Sequence, residues 1–348
     1  MSVTVAYFTS RKNPHIEWFF SSLYRELGGN YEGIRVVVVD FWAQAMDGRI
    51  QGISPNWTEA DVMERRALFA LASAALSLAG VTCLHVPPKP TVWAGPSRLT
   101  KENYFAAANA RNTAICLAPD GWIVGVDDVS VLMPGWWKAV QAAIDGDYVV
   151  CGAYRKVKDL VVENGNVVSF TDFAAGHDHR EAVAKGKITD TNGGWFYGCS
   201  FAAPVEALLQ IGGFMEICDG MGFEDVPAGL MMKANGWELK YDPRMLSYES
   251  EEAHFLDKPM IRIDPVKEPT IMPATALGYP EMRNDKSHAL LRLLWPHGWR
   301  DQAIRYHPGY FGPEGIRGLR KRVLAGEAFP KMGIPEHCWF SGVRLTDL

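Results

Sequence analysis

Two neighbouring segments determine the architecture of this chain: Asn109-Ala110-Arg111-Asn112 and, further along, Trp122-Ile123-Val124-Gly125-Val126-Asp127-Asp128. The first belongs to a helical pattern over residues 103–117, and the second is an apolar strand that ends in two adjacent carboxylates. In an open α/β sheet, ligands bind beyond the carboxyl ends of the strands. Carboxylates are the oxygen ligands that Mg²⁺ or Mn²⁺ prefers, and such a metal neutralises a diphosphate. The alternative is an Asp-Asp turn that only caps the following segment.

Strand and helix patterns alternate on both sides of these segments. The predicted strands cover residues 3–9, 35–40, 81–86 and 122–126, and the predicted helices cover residues 14–27, 59–79, 103–117 and 134–144. This alternation predicts an α/β fold with a mostly parallel central sheet and helices on both faces.

The middle of the chain has a different character. Residues 149–168 read as a strand and a hairpin with Asn164-Gly165 as its tight turn. The polar, glycine-rich residues 173–194 predict a mobile loop, and residues 238–241 predict a short strand. Helices are expected at residues 204–211 and 226–235, and later at 284–294 and 314–325.

Two further motifs carry candidate chemistry. Glu224-Asp225 follows Gly212-Gly213-Phe214 and stands at the start of a predicted helix, where the helix dipole stabilises an anion. A carboxylate there can act as a general base, although plain N-terminal capping is the alternative. His254 lies beyond the acidic segment Tyr248-Glu249-Ser250-Glu251-Glu252 and would complete a metal site, unless it is a structural histidine.

Composition and charge narrow the class of protein. The chain has 348 residues, of which 48% are hydrophobic and 22% charged, as is usual for a globular protein of about two domains. It shows neither a membrane-spanning apolar run of roughly 20 residues nor a signal peptide pattern, so we expect a cytoplasmic protein. The net charge is −5, but residues 281–348 hold 11 basic and 7 acidic residues, so this tail is basic.

Taken in order, these motifs resemble those of the GT-A glycosyltransferases, in particular the inverting, family-2-like group. The matching segments are Thr9-Ser10-Arg11, Val39-Asp40, Ala110-Arg111-Asn112, Asp127-Asp128-Val129, Gly212-Gly213-Phe214 and Glu224-Asp225. The resemblance covers roughly residues 1–255, and the middle section looks most like phage-encoded members, which would place the protein in a host cytoplasm. It implies a GT-A catalytic domain over residues 1–258, with a nucleotide-sugar-binding half (1–130) and an acceptor half (131–258). Residues 259–348 would form a basic, aromatic, α-rich C-terminal extension.

The resemblance implies transfer of a sugar from a nucleotide-diphosphate donor, most simply a UDP-sugar, to an acceptor hydroxyl with inversion. Asp225 would be the general base, beside Glu224. The donor would contact Thr9, Arg11, Asp40, Arg111 and Asp127; Mn²⁺ or Mg²⁺ would bind Asp127, Asp128 and His254; the acceptor would meet Gly194 and Trp195.

One departure from the family pattern concerns the metal. Val129 falls where the family often has its last aspartate, and a valine cannot bind metal. Either Asp128 serves instead, or the metal is held weakly, or the reaction needs none. A non-catalytic nucleotide- or glycan-binding protein with a degenerate GT-A site is the alternative function. A nucleotidyltransferase would want a glycine-rich triphosphate loop, and residues 9–14 contain no glycine.

The acceptor stays open at this stage. The basic tail interleaves cations with aromatic residues, a pattern used to bind single strands or flipped bases. Together with the resemblance to phage-encoded members, it implies a hydroxymethylated pyrimidine in DNA as one possible acceptor. These aromatic residues are Trp295, Trp299, Tyr306, Tyr310 and Phe311. The overall charge of −5 argues against strong DNA binding, and a polysaccharide, lipid-linked or protein acceptor fits equally well.

Overall fold

The computed structural model describes residues 1–11, 13–40, 43, 59–89, 107–214, 216, 224–255, 315–329, 339–340 and 343–344. The strands of the main sheet are β1 (Val3–Thr9), β2 (Ile34–Asp40), β3 (Thr82–Val86), β4 (Trp122–Asp127), β5 (Ser130–Leu132), β6 (Val149–Glu163), β7 (Asn166–Thr171), β8 (Thr189–Asp190), β9 (Ser200–Pro204) and β10 (Leu239–Ser250). The helices are α1 (Ile16–Leu27), α2 (Glu59–Leu78), α3 (Ala107–Leu117), α4 (Trp136–Asp145), α5 (His179–Ala184), α6 (Val205–Gln210), α7 (Asp225–Ala234), α8 (Glu251–Phe255) and α9 (Gly315–Leu324). A separate two-stranded ribbon pairs β11 (Trp339–Phe340) with β12 (Val343–Arg344).

The sheet confirms the predicted α/β architecture. Its strand order is β3-β2-β1-β4-β9-β6-β10-β5, with β7 paired to β6 and β8 to β10. The first four strands are mutually parallel, and β6 is parallel to β10. Strands β9 and β5 run antiparallel to their neighbours, so the other six strands of this order point the same way.

Helices cover both faces of the sheet, which explains the near-continuous apolar strands. One core lies between the sheet and α1, α2 and α4, and the other lies between the sheet and α3, α6, α7 and α9. The strand residues alternate between the two cores: Val36 and Val38 face the first, and Val37 and Val39 face the second. Both sets are fully buried, as the β-branched run in the sequence indicates.

The parallel strands bring the predicted site residues to one edge. Thr9, at the end of β1, pairs in register with Asp40 at the end of β2. Phe8 pairs in register with Asp127 at the end of β4. The carboxyl ends of these three strands therefore lie side by side at one edge of the sheet.

One local prediction was wrong, and another underestimated the length of a strand that the structure contains. Residues 173–194 form a 3-10 turn (Ala174–Gly176), α5 and β8 rather than an irregular loop. Arg180 anchors this segment, because its fully buried guanidinium pairs with Asp178 at 2.7 Å and lies 4.1 Å from the ring centroid of Tyr197. The strand predicted at residues 238–241 continues to Ser250 as β10, since a register shift between Asp242 and Leu246 accommodates the intervening proline.

The hairpin and the last helix were predicted well. Strands β6 and β7 meet at Asn164-Gly165, whose φ angles of 48° and 75° suit a tight hairpin turn. Helix α9 matches the helix expected over residues 314–325. The helix expected at 284–294 and the domain boundary at 258 lie outside the described residues, and the division of the catalytic domain at residue 130 stays a prediction. Within the described ranges, none of the helices has the length and hydrophobicity that a membrane span requires.

Candidate active site

The loop after β1 is tied to the turn after β4. Thr9 Oγ1 donates to one carboxylate oxygen of Asp128 at 2.8 Å, and Arg11 Nε donates to the other oxygen at 2.8 Å. Arg11 also donates through Nη1 to the carbonyl of Ala253, just after β10. Three of the predicted donor and metal residues thus hold one another, and both oxygens of Asp128 already accept hydrogen bonds.

Asp40 lies at the centre of a second buried network. Arg65 on α2 donates to both of its oxygens, at 2.7 and 3.0 Å, and His85 Nε2 lies 2.8 Å from one of them. Burial alone would raise the pKa of Asp40, but Arg65 and His85 outweigh that effect and lower the pKa to about 2. Arg65 additionally donates to the carbonyl of Arg11. The carboxylate predicted to bind the donor therefore also fixes the loop after β1.

Val129, the residue that departs from the family pattern, has an unusual backbone. Its φ is 55°, and its side chain is fully buried. A β-branched residue in this region is an outlier, and such strain clusters at functional sites. The conformation is held because Val129 N–H donates to the hydroxyl of Tyr7, which in turn donates to the carbonyl of Pro14. The turn that presents Asp127 and Asp128 is therefore fixed from the core.

Arg111 joins the two predicted motifs. One of its terminal nitrogens donates to Asp127 at 3.1 Å, and the other forms an ion pair with Glu224. Its Cζ atom lies 5.6 Å from the ring centroid of Phe8 and 5.5 Å from that of Phe214, and the residue is 3% exposed. Burial would lower the pKa of Arg111, but Asp127 and Glu224 raise it instead. Arg111 therefore holds the end of β4 beside the start of α7.

Asp127 remains the most open of these carboxylates. Its side chain is 34% exposed, yet protein surrounds it on the other sides, and this burial raises its pKa against the opposing effect of Arg111. The neighbouring charges of Asp128 and Asp225 raise the pKa further. Asp127 thus faces the cleft amid a surplus of negative charge.

Asp225 is oriented by two backbone amides at the start of α7. Gly198 N–H donates to Oδ2 at 2.9 Å, and Val226 N–H donates to Oδ1 at 2.7 Å. Each carboxylate oxygen keeps a further lone pair, so the group can accept a proton from a third donor. Glu224 lies deeper: it is 5% exposed, and its pKa is raised by burial, with Arg111 opposing.

Residues 193–198 lead past α7 to Asp225. A Cβ atom on Gly193 would lie 2.3 Å from the carbonyl oxygen of Gly229 on that helix, so only glycine permits this approach. Gly194 N–H donates to Asn192 Oδ1, and the half-buried Trp195 packs edge-to-face on Tyr241 at 5.7 Å. The two predicted acceptor residues therefore lie on the segment that ends at the amide bound to Asp225.

Glu249 joins the cleft, and the sequence interpretation missed it. It is 4% exposed at the end of β10, and its Oε1 has no hydrogen-bond partner among the described residues. Burial raises its pKa to about 7; Lys156 opposes this shift, and Asp127 and Asp128 add to it. The acidic segment around Glu249 was visible in the sequence, but only the true length of β10 identifies Glu249 as its inward-facing member.

The charge balance of the described residues fits a divalent cation. Among them, five carboxylates interact with two guanidinium groups and one lysine; they are Asp127, Asp128, Glu224, Asp225 and Glu249 against Arg11, Arg111 and Lys156. The partnerless oxygen of Glu249 points to the same need for positive charge. Among the described side chains, no three Asp, Glu, His or Cys residues already form a metal cage. The backbone of His254 belongs to α8, but its side chain lies outside the described part of the chain.

Comparisons with known proteins complete this description. No protein-family model matches the chain, and a search of curated proteins finds no match. Among solved structures, S. aureus TarS 1–349 matches with a TM-score of 0.45 and 11% identity over 95% of this chain and 93% of that one. A second S. aureus TarS structure matches with a TM-score of 0.44 and 12% identity, over 93% of this chain and 54% of that one. A structure of GalNAc-T7 with UDP, GalNAc and Mn²⁺ matches with a TM-score of 0.43 and 11% identity. That match covers 72% of this chain and 44% of GalNAc-T7, so the chain spans less than half of that protein.

Proposed function

We propose that this protein is a glycosyltransferase that moves a sugar from a nucleotide-diphosphate donor, a UDP-sugar, to an acceptor hydroxyl with inversion. The observation that carries the proposal is the bridge that Arg111 makes between Asp127 and Glu224, because it holds the end of β4 beside the helix start that carries Asp225, the proposed base. The resemblance of the motifs to the inverting GT-A group supplies the reaction class.

In the proposed reaction, Asp225 accepts the proton of the acceptor hydroxyl. The hydroxyl oxygen bonds to the anomeric carbon while the bond from that carbon to the diphosphate breaks on the opposite face. The electron pair leaves with the nucleotide diphosphate. The amides of Gly198 and Val226 hold Asp225 in place, so little reorganisation accompanies proton transfer.

The donor is proposed to lie across the ends of β1, β2 and β4, against Thr9, Arg11, Asp40, Arg111 and Asp127. Mn²⁺ or Mg²⁺, when bound, would stabilise the charge that develops on the departing diphosphate. Asp127, with one carboxylate oxygen that accepts no described hydrogen bond, is the proposed ligand. Asp128 and His254 are the other ligands that the resemblance implies.

We propose a glycan-type hydroxyl as the acceptor, bound beside Gly194 and Trp195. Hydroxymethylated DNA is the alternative, but two cations in the described part of the basic tail form ion pairs within the chain. On α9, Arg317 pairs with Glu206 and Arg320 pairs with Asp120. If the protein binds DNA at low salt and added salt weakens that binding steeply, DNA becomes the favoured acceptor.

The test is hydrolysis and transfer by the full chain with UDP-sugars, compared with the Asp225→Asn variant. Loss of the general base should lower the rate by about 10² to 10⁴. UDP should still raise the melting temperature of this variant as it does that of the wild type. Nucleotide binding without hydrolysis or transfer would favour the non-catalytic binding protein. A variant that retains more than half of the activity would remove Asp225 from the mechanism.

A further inference from the structure

Glu249 is a buried acid without a described partner on one oxygen. The residue lies on β10 directly opposite Ser130 of β5 and is only 4% exposed. Oε1 is inaccessible to solvent and accepts no hydrogen bond from the described residues. A buried polar atom without a hydrogen-bond partner costs free energy. A native protein therefore retains such an atom where a bound ion or water satisfies it.

The surroundings of Glu249 call for positive charge. Asp127 and Asp128 both interact unfavourably with it, and Lys156 and Arg11 offset this only in part. Arg11 is itself bound to Asp128 and to the carbonyl of Ala253. The described residues thus leave a surplus of negative charge beside Glu249, which a bound cation would offset.

Glu249 also lies beside Val129, where the family pattern that the chain resembles often has an aspartate. Its partner in register, Ser130, directly follows Val129, and Ser250 N–H donates to the carbonyl of Val129 at 3.2 Å. Opposite residues on antiparallel strands project from the same face of the sheet. A carboxylate-bearing residue of β10 thus lies next to the turn where Val129 provides no carboxylate.

We propose that Glu249 is a ligand, together with Asp127, of a divalent cation in the donor cleft. Mg²⁺ and Mn²⁺ sites that serve phosphate substrates need only one or two protein carboxylates, since water and phosphate oxygens complete the coordination. Asp128 then keeps its hydrogen bonds to Thr9 and Arg11 and acts as the anchor of the loop after β1. This inference rests on the proposed function, because the donor diphosphate supplies the remaining oxygens.

The test is a titration of the full chain with Mn²⁺, followed by electron paramagnetic resonance, with and without UDP. Glu249→Gln keeps the shape of the side chain and removes its charge, and Asp127→Asn serves as the positive control. Glu252→Gln is the matched control, because Glu252 is a nearby acid whose oxygens accept from Asp159 N–H and Ser250 Oγ instead. We expect Glu249→Gln and Asp127→Asn each to weaken Mn²⁺ binding by at least about 10- to 100-fold. This is the loss that follows when a residue supporting a metal site is changed. Glu252→Gln should bind like the wild type.

Thermal unfolding gives an independent readout that also verifies folding. In EDTA, Glu249→Gln should melt at or above the temperature of the wild type, since it removes an uncompensated buried charge. The rise in melting temperature that Mn²⁺ gives the wild type with UDP should be lost. A purely structural Glu249 would instead give a variant that melts lower and still responds to Mn²⁺.

The outcomes separate this inference from the proposed function. Mn²⁺ binding by Glu249→Gln that equals wild-type binding would overturn the inference. UDP binding that persists unchanged in EDTA, with no Mn²⁺ bound, would also overturn it but leave the transferase intact. Failure of UDP to bind under any of these conditions would count against the proposed function itself.

Discussion

A Cβ atom placed on Gly198 would lie 2.2 Å from Cζ of Arg111, so this guanidinium occupies the space that any larger residue at position 198 would need. The same glycine donates its amide to Asp225. Gly198 therefore permits two things at once: the bridge from Arg111 to Asp127 and Glu224, and the fixed orientation of the candidate base. The arrangement of Arg111 and Asp225 therefore depends on position 198 having no side chain.

Gly198→Ala should displace Arg111 and disturb both carboxylates that it holds. We expect a loss of about 1–3 kcal/mol in the free energy of unfolding, as is usual when a well-packed site is overfilled. Urea unfolding of Gly198→Ala, Arg111→Ala and the double variant measures the effect as a cycle. If Arg111 is the cause, Gly198→Ala should cost almost nothing in the Arg111→Ala background. Equal costs in both backgrounds would contradict this explanation.

The network around Asp40 predicts a dependence of stability on acid. Because Arg65 and His85 lower the folded-state pKa of Asp40 to about 2, the unfolded chain binds its proton more tightly. The resulting stabilisation, roughly 2 kcal/mol, is complete above the unfolded pKa near 4. It declines as the pH falls from about 4 towards 2.

Asp40→Asn tests this dependence by urea unfolding at several pH values. At pH 7 the variant should lose about 3–5 kcal/mol, since the buried guanidinium of Arg65 is left without its carboxylate. The difference from the wild type should shrink between pH 4 and pH 2. Asp190→Asn, at an exposed position on β8, should show neither effect. A difference that stays constant down to pH 2 would show that the charge of Asp40 is not its source.

Local sequence patterns predicted the parts of the fold that depend on neighbours in the chain. Only a few consecutive residues determine the apolar strand before Asp127, and the same is true of the Asn164-Gly165 turn. Both predictions were confirmed. The convergence of Thr9, Asp40 and Asp127 followed from parallel pairing alone.

Pairings over long distances could not be predicted in the same way. Arg65 meets Asp40 through the packing of α2 against the sheet, and nothing in the sequence around Arg65 marks that contact. Glu249 depends on β10 passing Pro243 without ending, where proline normally argues for termination. For Arg111 and Glu224 the sequence predicted both residues but not that they form an ion pair.

Helix α9 predicts a contrast between two adjacent residues. Ile316 is 3% exposed and packs into the core next to Gly213, whereas Arg317 forms an exposed ion pair with Glu206. Ile316→Ala should lower the free energy of unfolding by about 2–4 kcal/mol through the cavity it leaves. Arg317→Ala should cost less than about 1 kcal/mol, because exposed pairs contribute little. Comparable losses for both variants, measured by urea unfolding, would mean that α9 is held by charge rather than by packing.

The tip of the β6–β7 hairpin rests on α1 and predicts a strong preference for glycine. A Cβ atom on Gly165 would lie 2.5 Å from the backbone of Ser21 and Ser22, and the φ of Gly165 is 75°. Arg25 on α1 also donates a hydrogen bond to the carbonyl of Gly165. Alanine would thus meet both backbone strain, about 1–2 kcal/mol, and a collision with main-chain atoms that cannot rotate away.

Gly165→Ala should therefore lower the free energy of unfolding by about 2–4 kcal/mol, the sum of the strain and the overpacking. Asn164→Gly is the matched control, because φ is 48° at that position and glycine adopts this conformation without strain. It should change stability by no more than about 1 kcal/mol. Differential scanning calorimetry of both variants makes the comparison. If the two variants melt at the same temperature, the contact of the hairpin tip with α1 contributes nothing to stability.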